Sequence, residues 1–396
     1  MNNKLASQMN FDPGIKVVRA AVEAIAKEII TTNKGYIPYT RAVMIVGALE
    51  EAKLTNSPGL LTSKLIDEGV LTKNIFTKED HSTEEGVYFM YERFLDHITA
   101  SILIADLSDD PSTAFLEGGI LYEYFKDELS CNINSGLIEA LSIQIPEKYN
   151  QEFFEFVPHV RESLIICEAL ITSIVWRKSD NLSSEPESTF RVFLSEMMPK
   201  HHLNGLFIET ILLISSIPGH PYNAEHLHAI LMDKSLAERD CGYSHWLTSN
   251  FSNQGSGVKR LIDWSWKDLY RKEISDDSIL LSAIALSWFL VSPDRNIRDS
   301  ATKSVICLMR QREHLLVPLL QKFEGVNDPY VYERLYGIAY GCSIRAEKLD
   351  FLTSLSSYIY TTIFNKDMVY PHVLLRDYAS GIVNFTAAKG FSGWLT

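Results

Sequence analysis

The chain has 396 residues, 46% of them hydrophobic and 22% charged, which is enough to bury a sizeable core in two or three domains and excludes a disordered polymer. Its formal net charge of -13 lacks the overall basic footprint with which nucleic-acid binders attract phosphate. Five scattered cysteines (Cys131, Cys167, Cys241, Cys307 and Cys342) form no C-x-x-C pair, which argues against a disulfide framework or zinc knuckle and suits a reducing, cytoplasmic setting.

Residues 1–14 read as a polar N-terminal tail without the apolar core of a signal peptide. Val18, Val22, Ile25 and Ile29 then recur at helical spacing, and Asn33-Lys34-Gly35 supplies a stop. A second helix is expected over about Tyr39–Lys53. Ser57 and Pro58 have the chemistry to open a third, as cap and first helical residue, and it ends at Gly69. Val70–Phe76 and Gly86–Tyr91 are rich in β-branched and aromatic residues and flank the polar connector Thr77–Glu85, so they read as a two-stranded ribbon. Three short helices followed by a hairpin is the winged-helix order, assigned to residues 15–109, with an amphipathic helix Glu92–Asp106 leading out of it. A helical region is expected over 110–254, without strands and punctuated by Pro146, Pro158, Pro186, Pro199 and Pro218; its most linker-like loop is Asp180–Ser188. The apolar runs Leu203–Ile217 and Ile279–Val291 are interrupted or too short to span a bilayer, so no membrane association is expected.

Residues 255–396 carry an internal repeat. Ser292–Leu308, Asn327–Ile344 and Val369–Phe385 align on Arg298, Arg334 and Arg376, each with a proline five residues earlier (Pro293, Pro329, Pro371) and an alanine after it (Ala301, Ala339, Ala379). The spacing is close to the period of roughly 40 residues of HEAT-type helix pairs. Such pairs cover one another's apolar faces and stack into an α-solenoid. Arg298, Asp299, Asp328, Arg334, Arg376 and Asp377 are the polar positions expected to form ladders or caps between stacked helices.

No local motif for chemistry survives inspection. Gly47, Ala52, Lys53 and Leu54 approximate a P-loop, but the second glycine and the Mg²⁺-binding hydroxyl are missing and the stretch reads as helix. Ser300-x-x-Lys303 and Ser179-Asp180-Asn181 match pieces of the penicillin-binding signature in the wrong order and without K-T-G. His201, His202, His220, His226 and His228 cluster in sequence, but His226 and His228 fall two apart on different helix faces, so capping and packing are expected rather than zinc. The third helix of the winged-helix region has Lys64 as its only base, and the connector carries Glu79, Asp80, Glu84 and Glu85 where a DNA-reading wing would be basic. No catalytic residue, cofactor or metal is therefore expected.

The stretch from Val70 through Phe89, Tyr91, Phe94, Asp96 and His97 resembles the winged-helix end of a STAND-type NTPase module. The chain beyond His97 is similar to the helical sensor half of prokaryotic antiviral STAND proteins, on Gly136–Pro146, His220–Asp240, Ala285–Leu308, Asn327–Gly341 and Leu374–Ala379. The resemblance covers about residues 15–390. In that family an effector and a P-loop ATPase core precede the winged helix, and the repeat array binds a viral protein. The matching stretch here begins near the winged helix, so effector, P-loop and Mg²⁺-binding strand are not expected. The related NACHT pattern F-x-H-x-x-F-x-E/D places Phe89, Phe94 and Asp96, but Tyr91 stands where its nucleotide-sensing histidine would be. The resemblance thus implies a mainly α, non-enzymatic sensor or scaffold, a winged helix with an α-solenoid of HEAT-like repeats, docking a phage protein or a partner ATPase in antiviral defence. The alternative is a winged-helix nucleic-acid-binding regulator.

Overall fold

The computed structural model describes residues 1–32, 34–53, 60–78, 80–105, 107, 110–267, 273–310 and 312–390. Asn33, Leu54, the Ser57-Pro58 pair, Glu79 and Asp106 lie outside the described residues. The chain is mainly helical with one small antiparallel sheet, and it divides into two units, Met1–Asn181 and Leu182–Thr396. The division falls in the Asp180–Ser188 loop. None of the described helices is long and apolar enough to cross a membrane.

In the first unit, α1 (Asn2–Met9) occupies the stretch expected as a tail. Its Leu5, Ala6 and Met9 are buried, because a short polar segment with apolar residues at i, i+1 and i+4 can still lay one face on a neighbour. α2 (Val17–Thr32) buries Val17, Ala21, Val22, Ile25, Ala26 and Ile29, so Val18, part of the expected stripe, sits at its margin. Strand β1 (Ile37–Pro38) precedes α3 (Tyr39–Ala48); the chain becomes extended at Leu49 before α4 (Glu50–Lys53), splitting the single helix expected there. After α5 (Leu61–Asp67) come β2 (Leu71–Thr77) and β3 (Thr83–Phe89), paired antiparallel with Leu71 opposite Phe89 and Thr77 opposite Thr83. The ribbon is three-stranded rather than two-stranded, since β1 pairs with β3 through Ile37 and Val87. That two-residue strand is too short to show a period-two pattern in sequence.

Helix α6 (Glu92–Ala105) packs against both α2 and α10 (Ser135–Tyr149), so residues beyond 109 join the same unit. Between them lie the short helices α7 (Ser112–Phe115), α8 (Tyr122–Phe125) and α9 (Glu128–Ile133). α11 (Phe153–Phe156) and α12 (Leu164–Ser173) come next. Phe115, Phe125, Phe153 and Phe156 form one buried aromatic cluster. Pro146 lies inside α10 instead of separating two helices; three residues from its end, the missing N–H removes a single intrahelical bond.

The second unit opens with α13 (Thr189–Lys200), which likewise contains Pro199 in its last turn, and continues through α14 (Asn204–Ile214), α15 (Ala224–Asp233), α16 (Leu236–Arg239), α17 (His245–Phe251) and α18 (Gly257–Ser265). It ends with α19 (Asp276–Ser287), α20 (Arg295–Met309), α21 (Leu316–Lys322), α22 (Pro329–Ser343), α23 (Leu349–Ile359) and α24 (Val373–Ala388). Two rows emerge from the packing. One runs α14, α18, α20, α22, α24, each against the next; the other runs α15, α19, α21, α23. The rows continue across residue 254. Within the first row α20 and α22 run parallel: Asp299 meets Arg334 near one end of the pair, and Ile306 meets Gly341 near the other. At the next interface Tyr340 lies against Gly381, where an added Cβ would come within 2.8 Å of its ring. The repeat alanines Ala301, Ala339 and Ala379 are all fully buried between these helices.

The corner that brings α15, α16 and α22 together is made by Arg239, a fully buried side chain. Its guanidinium donates to the carbonyls of Leu231 at 3.0 Å and Lys234 at 2.6 Å, and to the carbonyl and side-chain oxygens of Asn327. The Asp328 carboxylate stands 4.0 Å away, and the Trp288 ring 5.6 Å. Removing one partner of a buried charge pair leaves the other without compensation from water. Arg239→Ala should therefore cost about 3 kcal/mol or more and lower the melting temperature by about 10 °C. Differential scanning calorimetry checks this, and a variant melting with the wild type would show that the corner contributes nothing of the kind.

Candidate functional site

The repeat arginines of the first row do different things. At the start of α20, Asp294 accepts from the Asn296 N–H as helix cap, and Arg298 reaches back to donate to the carbonyls of Ser292 at 2.8 Å and Pro293 at 2.6 Å. At the start of α22, Asp328 accepts from the N–H groups of Tyr330 and Val331. Tyr330 then stands between two cations, with the Arg298 guanidinium 5.1 Å and the Arg334 guanidinium 5.3 Å from its ring centroid. Arg334 also donates to the Tyr330 hydroxyl at 2.8 Å and meets the Asp299 carboxylate at 3.4 Å, and Asp299 pairs with Arg295 at 3.2 Å. Arg298, Asp299, Asp328 and Arg334 are thus brought into one ladder joining α20 to α22. The ladder stops there. Arg376 is half-buried and Asp377 exposed on α24, and among the described residues neither side chain has a hydrogen-bond or ion-pair partner. The third repeat begins instead with His372 as cap, accepting from the Leu375 N–H and lying 3.7 Å from Glu333.

In the first unit, Phe89 is buried at the end of β3 and its ring meets Phe94 at 5.9 Å. Tyr91, at the position of the missing histidine, is exposed. Phe94 and His97 line a groove of about 600 Å³ with Val18, Val22 and Ile98, while the His97 carbonyl accepts from Gln144 at 2.8 Å. Burial holds the His97 ring below the ordinary imidazole range, toward the neutral form. Asp96 faces the start of α10, where a Cβ on Gly136 would collide with its carboxylate; only glycine admits it. Burial, with Glu92 and Glu139 nearby, pushes the Asp96 carboxyl up to about 6. Arg93 pairs with Glu139 at 3.3 Å. Asp96, His97 and the Arg93–Glu139 pair thus link α6 to α10, while Tyr91 and Phe94 face solvent.

The basic groups of the hairpin are matched by carboxylates: Lys73 by Glu85 at 3.3 Å, Lys78 by Glu84 at 3.0 Å, and on α5 Lys64 by Asp67 at 3.4 Å. Of the clustered histidines, His220, His226 and His228 take internal roles, whereas His202 is exposed. His220 accepts the Tyr222 N–H at 3.1 Å. His226 sits edge-on to Tyr222, and burial with Arg191 nearby lowers its pKa to about 4. His228 accepts the indole N–H of Trp288 at 3.1 Å, so that ring nitrogen is unprotonated.

A second cavity, of about 880 Å³, opens at the C-terminal ends of α20 and α22. Lys303, Arg310, Arg345 and Lys348 bring four positive charges to it, against Glu313 and Glu347, over a floor of Ile306, Cys342 and Phe351. Burial pushes the Cys342 thiol up to about 12, so it contributes as an apolar group. Sequence reading missed this basin because its cations come from two separated stretches, 303–310 and 345–348. It also missed Tyr330, whose place next to Pro329 and four residues before Arg334 was a usable signal, and Arg239, which has none. No protein-family model, no curated protein and no solved structure matches this chain.

This geometry has two measurable outcomes. Arg334→Ala should cost about 1 kcal/mol, the sum of a half-exposed ion pair and a cation–ring contact, whereas Arg376→Ala should stay within about 0.5 kcal/mol in urea titrations. Equal losses would show that the ladder is not the distinguishing contact. The folded chain also favours the protonated Asp96 carboxyl, so the folded state holds a proton that the unfolded chain releases above the ordinary value of 3.8. Stability from this site is therefore greatest below that value and falls as pH rises through about 6. Asp96→Asn should stabilise by about 1 kcal/mol at neutral pH, the raw shift being discounted for solvent screening, with the gain gone in acid. A gain independent of pH in thermal melts would point to packing instead.

Proposed function

We propose that this chain is a non-enzymatic docking protein, a sensor or scaffold similar to the recognition half of an antiviral STAND protein, working in the cytoplasm. On this reading the first unit contains a winged helix, formed by α2, α3, α5 and the β2–β3 hairpin. The second is an α-solenoid of HEAT-like pairs whose surface receives a phage protein or a separately encoded ATPase. The observation that carries the reading is the row α18, α20, α22 and α24, its last three helices parallel, backed by α19, α21 and α23, with the Asp299–Arg334–Tyr330–Arg298 ladder joining α20 to α22. Stacked pairs of this kind expose a long continuous surface, which is what protein recognition uses.

The placement of the titratable groups supports a structural rather than a chemical role. Glu152, whose pKa burial raises, is held by Arg177 through two bonds of 2.9 and 2.8 Å; Asp96 fastens α10; His228 holds Trp288. The paired lysines of the hairpin weigh against the nucleic-acid alternative, because each must give up its carboxylate before it can meet a phosphate.

The test is a pull-down with the tagged full chain from phage-infected and uninfected cells, with and without the neighbouring genes. A single protein retained through a salt wash, and lost when the chain is unfolded, is the expected result. Recovery of nothing specific, together with salt-sensitive retention of duplex DNA in a shift assay, would sink the docking reading in favour of the regulator.

A further inference from the structure

The basin at the C-terminal ends of α20 and α22 has a chemistry that the ladder does not use. Lys303 and Arg310 are exposed on the last two turns of α20 and its cap, and among the described residues neither side chain has a hydrogen-bond or ion-pair partner. Lys348 comes from the start of α23 and faces Glu313, and Arg345 is tied back by donating to the Gly341 carbonyl at 2.6 Å. Helix C-termini attract cations through their unsatisfied carbonyls, and Arg345 fits that role. Lys303 lies two turns back from the end of α20 and does not. A chain with a net charge of -13 therefore gathers positive charge around an apolar floor in a cavity of about 880 Å³.

We infer that this basin, on the docking reading, binds an acidic polypeptide segment of the partner, with carboxylates meeting Lys303, Arg310 and Lys348 and one apolar side chain resting on Ile306 and Phe351. The charge pattern favours a peptide over a nucleotide or nucleic acid. Compact phosphate charge is best received at helix N-termini, where N–H groups point outward. This cavity instead receives the carbonyl ends of two parallel helices, and Glu313 and Glu347 add to their negative potential. Carboxylates spread along a peptide can reach the cations individually and avoid those groups, and the apolar floor gives an anchor that a phosphate backbone would leave uncovered. At 880 Å³ the cavity has room for a side-chain anchor and its flanking residues.

Fluorescence anisotropy of the full chain with a fluorescein-labelled peptide of Asp and Glu residues flanking a central leucine tests the assignment. Saturable, salt-sensitive binding is expected. The double variant Lys303→Glu/Arg310→Glu, whose side chains lie outside the ladder and the core, should weaken it about tenfold or more. Replacing the leucine by serine should weaken binding further. Equal affinity of variant and wild type for the peptide overturns the assignment, as does tighter salt-sensitive binding of a single-stranded oligonucleotide or of ATP at this basin. If the peptide fails to bind while the pull-down still recovers a partner, the basin assignment falls and the docking reading stands. If the peptide binds at the basin and the pull-down recovers nothing, the docking reading falls and the basin assignment stands.

Discussion

A guanidinium removed from water needs acceptors on nearly every side, and Arg239 finds them in two distant pieces of chain. The carbonyls of Leu231 and Lys234 close the end of α15, while Asn327 and Asp328 are the corner from which α22 starts. Because Asp328 also caps α22 through the N–H groups of Tyr330 and Val331, the position of the buried charge and the starting point of that helix are one constraint. Trp288 and His228 close the space beside it, with the indole N–H donated to the imidazole. A charge in low dielectric tolerates little displacement of its partners, so this corner sets where α22 begins relative to α15 and α19.

From that starting point the two ends of α22 have opposite chemistry. Its N-terminal end is occupied: Asp328 caps, Tyr330 sits between two arginines, and Arg334 meets Asp299 of the neighbouring helix. Its C-terminal end, with that of α20, opens into the basic basin. Parallel alignment of the two helices produces this separation, since it brings like ends together instead of letting one helix's start cover its neighbour's finish. The α20–α22 pair therefore has a satisfied end and one that opens into a cavity, and docking is proposed at the latter.

The first unit uses its perturbed groups inwardly. Burial against α10 pushes the Asp96 carboxyl up to about 6, at a place where a glycine lets it approach. The hairpin, whose lysines would have to be free to meet DNA, neutralises them across the strands. Both features arise from local packing, while Tyr91 and Phe94 remain exposed beside them.

Much of this was legible in the sequence. Helical periodicity placed α2, turn chemistry and β-branched residues placed β2 and β3, and the recurring prolines and arginines marked the starts of α20, α22 and α24, because these signals act within a few residues of one another. Signals that depend on distant partners were not legible: Ile37 and Pro38 become a strand only because Val87 and Gly86 lie beside them, and Pro146 is tolerated within a helix because the rest of α10 is buried against α6 and α12. The repeat alignment treated Arg298, Arg334 and Arg376 alike, yet only the first two share Tyr330, since the matching place in the third repeat holds His372, whose ring is turned to capping α24. Sequence by itself determined that the chain is mainly helical and where several of its helices, α2, α20, α22 and α24 among them, lie, a consequence of short-range sterics and apolar periodicity. Tertiary structure decided which charges are buried, which are paired and which are left facing a cavity, because electrostatic partnership is set by distance in space and not along the chain.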